Sequence, residues 1–417
     1  SFQLEMTETK NAEPKKVKPG EGERTDKDVI CKHPDLELAQ YRFLLTLPEY
    51  PKDKKEQVWQ QLFKAIKEYD MAPLYEIVCT ELNRAIDTQL YDEMKERNMK
   101  KVGEMEAEIA DAEQNLGESE VRQAWLRKAE YFCQIADKDA AVLAFRHTYE
   151  KTVGVGYRID LVFNLIRLGL FFLDHELITA NMAKAKDLME EGGDWERKNR
   201  LRSYEALYLM SRREFAAASA LFLEAVPTFG SYELMTYENL IFYTVVSTLF
   251  ALDRPNLRDK VVHCNEIQEQ LTGGGTDGAL VLVREYVSTF YECQYDKFFG
   301  CLAKMEEQRL AMDRYLAPHV HFYSRTMRLR AYEQFLTPYK TVRIAMMAND
   351  FGVSVEFIDR ELYRLISTGR LHCKIDAIRG VIEMNQPDSK NHLYKSLIKD
   401  GDLLLNRIQK LERVINT

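Results

Sequence analysis

Between residues 393 and 415 the apolar side chains step along the chain by four and by three. Leu397, Gly401, Leu404, Ile408, Leu411 and Ile415 form the stripe, and Leu393 extends it by one turn. Such spacing puts the residues on one face of an α-helix, and a face that repeats every seven is a seam asking for a second helix. A lone helix of this length is marginal in water. The seam therefore needs either the chain's own core or a helix of another chain. A terminal helix beyond a domain boundary is placed for assembly, and that is the expectation here. Leu393, Leu397, Leu404, Ile408, Leu411 and Ile415 are then candidate interface residues. Gly401 within the seam costs about 1 kcal/mol of helix propensity relative to Ala.

The rest of the chain is short of helix breakers, with 11 Pro and 19 Gly in 417 residues. That favours long helices over many short strands, in two or three domains with a large core. A net charge of −8 removes any global drive toward nucleic acid or acidic lipid. Seven cysteines without a CxxC pair read as reduced thiols, as in the cytoplasm or nucleus. The apolar runs 161–173 and 240–252 fall short of the ~18–20 residues a membrane span needs, and the first contains Asn164 and Arg167. Both read as buried helices.

Residues 1–30 are polar, interrupted by Pro14, Pro19, Gly20 and Gly22, and read as a flexible tail. Helical patterns follow through 31–117. The last, over 91–116, has a narrow seam of Val102, Met105, Ile109, Ala112 and Leu116. Residues 118–230 repeat weakly, within a helical-repeat region expected over 118–337. Ala129, Phe132, Ala141, Phe145 and Thr148 fall at the same offsets as Ala206, Leu209, Ala218, Phe222 and Ala225. A unit between them, with Gly169, Phe172, Ala180 and Ala183, fits loosely. Small residues where two antiparallel helices cross, followed by an aromatic plug, describe a degenerate tetratricopeptide-like pair, stacked into a rod with one core. Further helices are expected over 233–251, 256–271, 279–292, 295–309 and 318–336, with a glycine-rich loop at 272–278.

The pattern changes at 338–384. Residues 342–351 and 355–367 read as helices, the second with Ile358, Leu362, Leu365 and Ile366 on one face and Gly369 at its end. Leu371, Cys373 and Ile375 then alternate with His372 and Lys374, a turn occupies 377–380, and 381–384 returns as a strand. Two helices and a hairpin make a winged helix. Its second helix sets Glu356, Asp359 and Glu361 against Arg360, Arg364 and Arg370, whereas a helix reading DNA presents net positive charge. Protein contact is expected instead, through the unpaired edge a hairpin leaves. Leu371, His372, Cys373, Lys374 and Ile375 are the candidate residues there. Residues 385–417 form the terminal bundle helix.

No catalytic constellation stands out. Gly154-Val155-Gly156 and Gly273–Gly275 lack the context of a phosphate loop. His319 and His321 could share a zinc only on a strand. A metalloprotease HxH pattern would need Ser and Asp where Leu329 and Tyr332 stand. No metal or cofactor is expected.

The strings NLGESE (115–120), EGGDWERKNRL (191–201), FGVSVEFID (351–359), GRLHCKID (369–376), PDSKN (387–391) and GDLLLNRIQKLERVIN (401–416) resemble the PCI-domain family of scaffold proteins. That family builds the proteasome lid, the signalosome and translation initiation factor three. The resemblance covers roughly residues 33–417 and is to the proteasome-lid members; the departures are the N-terminal tail and the glycine loop. It implies a mostly α chain, a tetratricopeptide-like helical-repeat superhelix followed by a winged-helix (PCI) domain and a long C-terminal helix. It further implies a non-catalytic subunit that scaffolds lid assembly for ubiquitin-dependent degradation. Implied partners are neighbouring PCI subunits, a small acidic lid polypeptide and the ATPase ring. A scaffold subunit of the paralogous signalosome is the alternative, and a nucleic-acid-binding winged-helix factor a more distant one.

Overall fold

The structure, a computed structural model, describes residues 32–273, 278–384 and 389–415. The expected tail at 1–30 and residues 274–277 of the glycine-rich loop lie outside the described residues. Four helices open the chain: α1 (Leu36–Thr46), α2 (Lys52–Glu68), α3 (Ala72–Glu81) and the long α4 (Thr88–Asn115). The rod follows with α5 (Glu118–Gln134), α6 (Lys138–Glu150), α7 (Val155–Phe172), α8 (His175–Gly192), α9 (Trp195–Ser211) and α10 (Phe215–Ala225). It continues through α11 (Tyr237–Ala251), α12 (Arg254–Leu257), α13 (Asn265–Gly273), α14 (Gly278–Tyr291), α15 (Tyr295–Met305) and α16 (Val320–Leu336). The last elements are β1 (Thr341–Arg343), α17 (Ile344–Asp350), α18 (Val355–Ser367), β2 (Cys373–Asp376), β3 (Val381–Met384) and α19 (Ser389–Ile415). The main apolar core runs from Leu36 to Ile382, and a second, smaller one joins α5 and α6 to α7 through Ala129, Cys133, Ala141, Phe145, Leu161 and Leu168.

Four helical pairs of the rod turn on a residue in the left-handed conformation: Ala136, Leu173, Arg213 and Cys293. In every case the next N–H bonds back to the carbonyl five residues earlier. Asp137 reaches Phe132, Asp174 reaches Gly169, Glu214 reaches Leu209 and Gln294 reaches Thr289, at 2.9–3.0 Å. This is a helix-ending motif that usually takes glycine. In two pairs the next residue is an aspartate that caps the following helix. Asp137 Oδ1 accepts from the N–H of Ala140, and Asp174 Oδ1 from those of Glu176 and Leu177. One residue stops the first helix and its neighbour starts the second, so the turn stays tight without glycine.

Aligning the pairs on these turns corrects the middle repeat. Its five positions are Ile166, Gly169, Ile178, Met182 and Ala185, all buried. Ala180 and Ala183 face solvent. The outer pairs put Ala at both crossing positions and a large residue at the second, Phe132 or Leu209. The middle pair inverts the arrangement, with Ile at both crossings and Gly169 between. A Cβ at Gly169 would lie 2.7 Å from Ile178 Cγ1. Volume is conserved across the crossing while the residue pattern is not, which is why the repeat reads so faintly. Tyr286, Thr289, Phe298, Leu302 and Met305 occupy the same positions in α14–α15 and are also buried.

Two expected helices break differently. The pattern over 256–271 is divided between α12, a wide turn at Arg258–Val262 and α13. The helix expected over 295–309 ends in a second wide turn, Glu306–Leu310. In both, an N–H reaches back five residues, from His263 to Arg258 and from Ala311 to Glu306.

Buried arginines close the helix ends, where carbonyls lack intrahelical partners. Arg314 donates to the carbonyls of Leu170 and Phe171 at the end of α7, and Arg330 to Leu249 and Leu252 at the end of α11. Burial pulls both guanidinium groups below their ordinary pKa. Arg167, fully buried on α7, donates to the carbonyl of His33 and to Asn164 Oδ1. Gln40 on α1 donates to the Met312 carbonyl at 2.6 Å and accepts from the Arg314 N–H at 3.1 Å. The N-terminal helices are thereby latched to the rod across more than two hundred residues of sequence.

The Gly169 crossing gives a paired test. Gly169→Ala gains up to about 1 kcal/mol of helix propensity but overpacks Ile178, which costs about 1–3 kcal/mol, so its denaturation midpoint should fall. Gly103→Ala in α4, where a Cβ meets nothing within 4 Å, should raise it by the propensity term. Urea unfolding followed by circular dichroism would read both.

Candidate functional site: the wing sheet and the terminal helix

Three strands form the wing, in the order β1-β3-β2 and all antiparallel. The first corrects the sequence reading, in which 342–351 was helical throughout. Thr341, Val342 and Arg343 instead pair with Glu383, Ile382 and Val381, and the helix starts at Ile344. Val342 is buried between two exposed neighbours, an alternation of period two. Three residues are too few to show that period against the helical run that follows. The strand β3 is therefore paired on both sides, and β2 has one unpaired edge.

The candidate hairpin residues alternate as expected. Leu371 and Cys373 are buried, Ile375 is half-buried, and His372 and Lys374 are exposed. Leu371 and His372 precede the strand, which begins at Cys373. Cys373 packs in the core of the wing, and burial pushes its thiol up to about 11. Ile382, opposite Ile375, is fully buried at the centre of the sheet. The turn between β2 and β3 leaves Ile378 98% exposed.

The wing is seated on the rod by Phe351, the residue that caps the C-terminal end of α17. Its ring meets those of Tyr295, Phe299, Tyr332 and Phe335 at centroid distances of 4.7–5.4 Å. Gly352 follows at φ +64°, and Val353 N–H bonds the Ala348 carbonyl. Ser354 Oγ then caps α18 by accepting from the N–H of Phe357. Thus FGVS is a plug, a left-handed stop and a helix start in consecutive residues. From α18, Glu361 reaches back to Arg328 of α16 at 3.1 Å, so this carboxylate faces the rod. The outer face of α18 carries Val355, Phe357 and Tyr363, exposed among charges of both signs.

Every described side chain of α19 from Lys390 to Arg413 is exposed. Leu393, Leu397, Leu404, Ile408 and Leu411 are each more than half exposed, with Leu397 at 69%. The side chain of Ile415 lies outside the described residues. The seam therefore does not dock on the chain's own core within the described residues. Tyr394, Ile398 and Leu405, also exposed, widen the stripe to an arc of about 140° at 100° per residue. The sequence reading stopped at the seam and missed this flanking row. A two-row seam suits one partner helix, and a wider arc suits a helix flanked by two.

Of the two histidines, His319 has a structural role. His319 Nε2 lies 2.8 Å from the Ser211 carbonyl and Nδ1 accepts from Arg213 Nε at 3.4 Å, tying the start of α16 to the α9–α10 turn. His321 points to solvent beside Glu306. Among the described residues no group of His, Cys, Asp and Glu is arranged to hold a metal, and no helix is long and apolar enough to cross a membrane.

Comparison with known proteins decides the family. The chain is 64% identical over 408 residues to the 26S proteasome non-ATPase regulatory subunit 6 of Caenorhabditis elegans, covering 98% of this chain and all of that protein. It belongs to the 26S proteasome subunit RPN7 family. That is a family of regulatory, non-catalytic subunits. The model of the 26S proteasome subunit RPN7 matches residues 87–260, that of the PCI domain 286–386, and that of the RPN7/PSMD6 C-terminal helix 394–415. The 26S proteasome non-ATPase regulatory subunit 6 homolog of Arabidopsis thaliana is 48% identical, covering 92% of this chain and 97% of its own. The 26S proteasome regulatory subunit RPN7 of Saccharomyces cerevisiae is 33% identical, covering 90% and 92%.

The sheet offers a test of how the wing is built. Ile382→Asp buries an unpaired charge, at a cost of about 3–5 kcal/mol, and should unfold the wing, leaving its amides open to hydrogen exchange. Lys374→Asp, on the exposed side of the same sheet, should leave them protected.

Proposed function

We propose that this chain is a structural subunit of the proteasome regulatory particle lid, joined to its neighbours through the free edge of β2 and the apolar arc of α19. The observation that carries this reading is the exposure of the whole described helix from Lys390 to Arg413, leucines included. Fully burying a leucine side chain contributes about 1.5–3 kcal/mol, so burial of Leu393, Leu397, Leu404 and Leu411 in a bundle would contribute about 6–12 kcal/mol to assembly. The match of 394–415 to a C-terminal-helix model supports an element that acts in its own right.

The proposed division of labour follows the expected domains. Residues 31–117 brace the rod, 118–337 set its length, 338–384 present the sheet edge and 385–417 enter a helical bundle. At the edge, Lys374 and His372 flank the backbone a neighbouring strand would pair with, while Leu371, Cys373 and Ile375 hold that backbone from beneath. In the bundle, Leu393, Leu397, Leu404, Ile408, Leu411 and Ile415 make the contact. The proposed partners are neighbouring PCI subunits, a small acidic lid polypeptide and the ATPase ring. Cys79, Cys264, Cys293, Cys301 and Cys373 are free thiols, which supports work in reducing compartments, the cytoplasm and nucleus.

Replacing Leu404 and Leu411 together with Asp should leave the rod and wing folded and block recovery of the chain in intact proteasomes. Glu412→Ala should change neither. Affinity purification of the particle followed by quantitation of the tagged chain reads the outcome, and normal incorporation of the double variant would rule the bundle out.

A further inference from the structure

A cleft of about 750 Å³ opens where α1, α9, α11 and the wide turn Glu306–Leu310 meet, away from both proposed interfaces. Small-molecule sites occupy about 300–1,000 Å³, so its size suits one. Its wall is apolar, and Leu36, Leu207, Leu234, Met235, Phe242 and Tyr243 in it are all buried. Glu307, Gln308 and Arg309 of the wide turn form one side, and turns of this kind are frequent at functional sites. The rim sets Lys54 and Arg309 against Glu37 and Glu307, so its charges balance.

Two buried side chains that line the cleft are short of partners. Arg314 is 7% exposed and Tyr315 9%. Arg314 spends Nη2 on the carbonyls of Leu170 and Phe171, while its Nη1 has no hydrogen-bond partner among the described residues. The Tyr315 hydroxyl has none either. The two lie together, with the guanidinium 5.6 Å from the centre of the Tyr315 ring. Guanidinium can only donate, and burial holds the Tyr315 hydroxyl up at about 12, so it keeps its proton. The adjoining carboxylate is spent elsewhere. Asp313 Oδ2 accepts from the Tyr243 hydroxyl at 2.6 Å, and Oδ1 from the N–H groups of Tyr315 and Leu316. A buried guanidinium is thus left with carbonyl partners and no ion pair among the described residues. A buried charge in that position favours an anion beside it.

We propose that this cleft binds a small carboxylic acid with an aromatic body, its carboxylate accepting from Arg314 Nη1 and the Tyr315 hydroxyl and its ring lying against Phe242 and Tyr243. One group then supplies both the missing acceptor and the counter-charge. Gln40 of α1 bonds to the Met312 carbonyl and the Arg314 N–H at the same place, so occupancy also fastens the N-terminal helices to the rod.

The test uses the full chain, with phenylacetate as the probe, phenylacetamide as its neutral counterpart and acetate as the head group alone. A ligand-observed NMR titration reads binding, and amide hydrogen exchange reads its place. Phenylacetate should bind saturably with a Kd on the order of 1 mM, as suits a fragment of its size. It should slow exchange in α1 and over 307–316 and leave α19 unchanged. Phenylacetamide should bind about tenfold more weakly, because a charge-assisted bond becomes a neutral one, and acetate should not saturate the chain over the same range. Tyr315→Phe removes a hydroxyl that bonds to nothing in the described chain, so folding, checked by circular dichroism, is spared. It should weaken phenylacetate about fivefold. Absence of saturable phenylacetate binding, equal affinity for the amide or for acetate, slowed exchange only elsewhere in the chain, or indifference to Tyr315→Phe would each overturn the proposal.

Discussion

The direction of the wing depends on one side chain. Phe351 fills a socket of Tyr295, Phe299, Tyr332 and Phe335, and every strand of the sheet lies in the same small domain that this ring anchors. Full burial of such a ring is worth about 3 kcal/mol, and each aromatic pair adds about 0.5–1.5 kcal/mol. The partly buried ion pair from Arg328 to Glu361 ties α18 to α16 beside it. A smaller residue at 351 would leave the sheet intact but free to tilt against the rod. An edge that must meet a neighbouring strand in register cannot tolerate that tilt.

Rigidity upstream has a different source. Two of the rod's turns are only a few residues long because a left-handed residue and a capping aspartate sit side by side in them, Ala136 with Asp137 and Leu173 with Asp174. Its helix ends are closed by arginines instead of by loops. Arg314 holds the end of α7 while its own backbone N–H is held by Gln40 of α1, so the N-terminal helices and the rod share one clamp. Guanidinium suits this task because it stays charged when buried and spreads several donors over neighbouring carbonyls. Truncating it would leave those carbonyls without partners in a dry interior.

Much of this was legible in the sequence. The heptad seam, the alternation of Leu371, Cys373 and Ile375, and the paired offsets of Ala129 and Ala206 each reflect a simple period. What escaped detection was carried by contacts and not by period. The strand Thr341–Arg343 is too short to show its alternation. The middle repeat exchanges Ala for Ile at Ile166 and Ile178 and compensates with Gly169, which keeps volume and erases pattern. Turns built on Ala136, Leu173, Arg213 and Cys293 lack the glycine that usually marks them. The socket for Phe351 draws residues from α15 and α16, and no local signal announces it. For the interface, the seam was visible but its width was not, because Ile398 and Leu405 matter only once the arc is laid out in space.

The central claim is that α19 is held open for partners. Amide hydrogen exchange across residues 394–413, in the isolated chain and in the assembled particle, tests it most directly. Rapid exchange in the free chain with strong protection after assembly is the expected result. Protection of the same amides in the isolated chain, unchanged on assembly, would show that the helix packs on its own subunit and would contradict the claim.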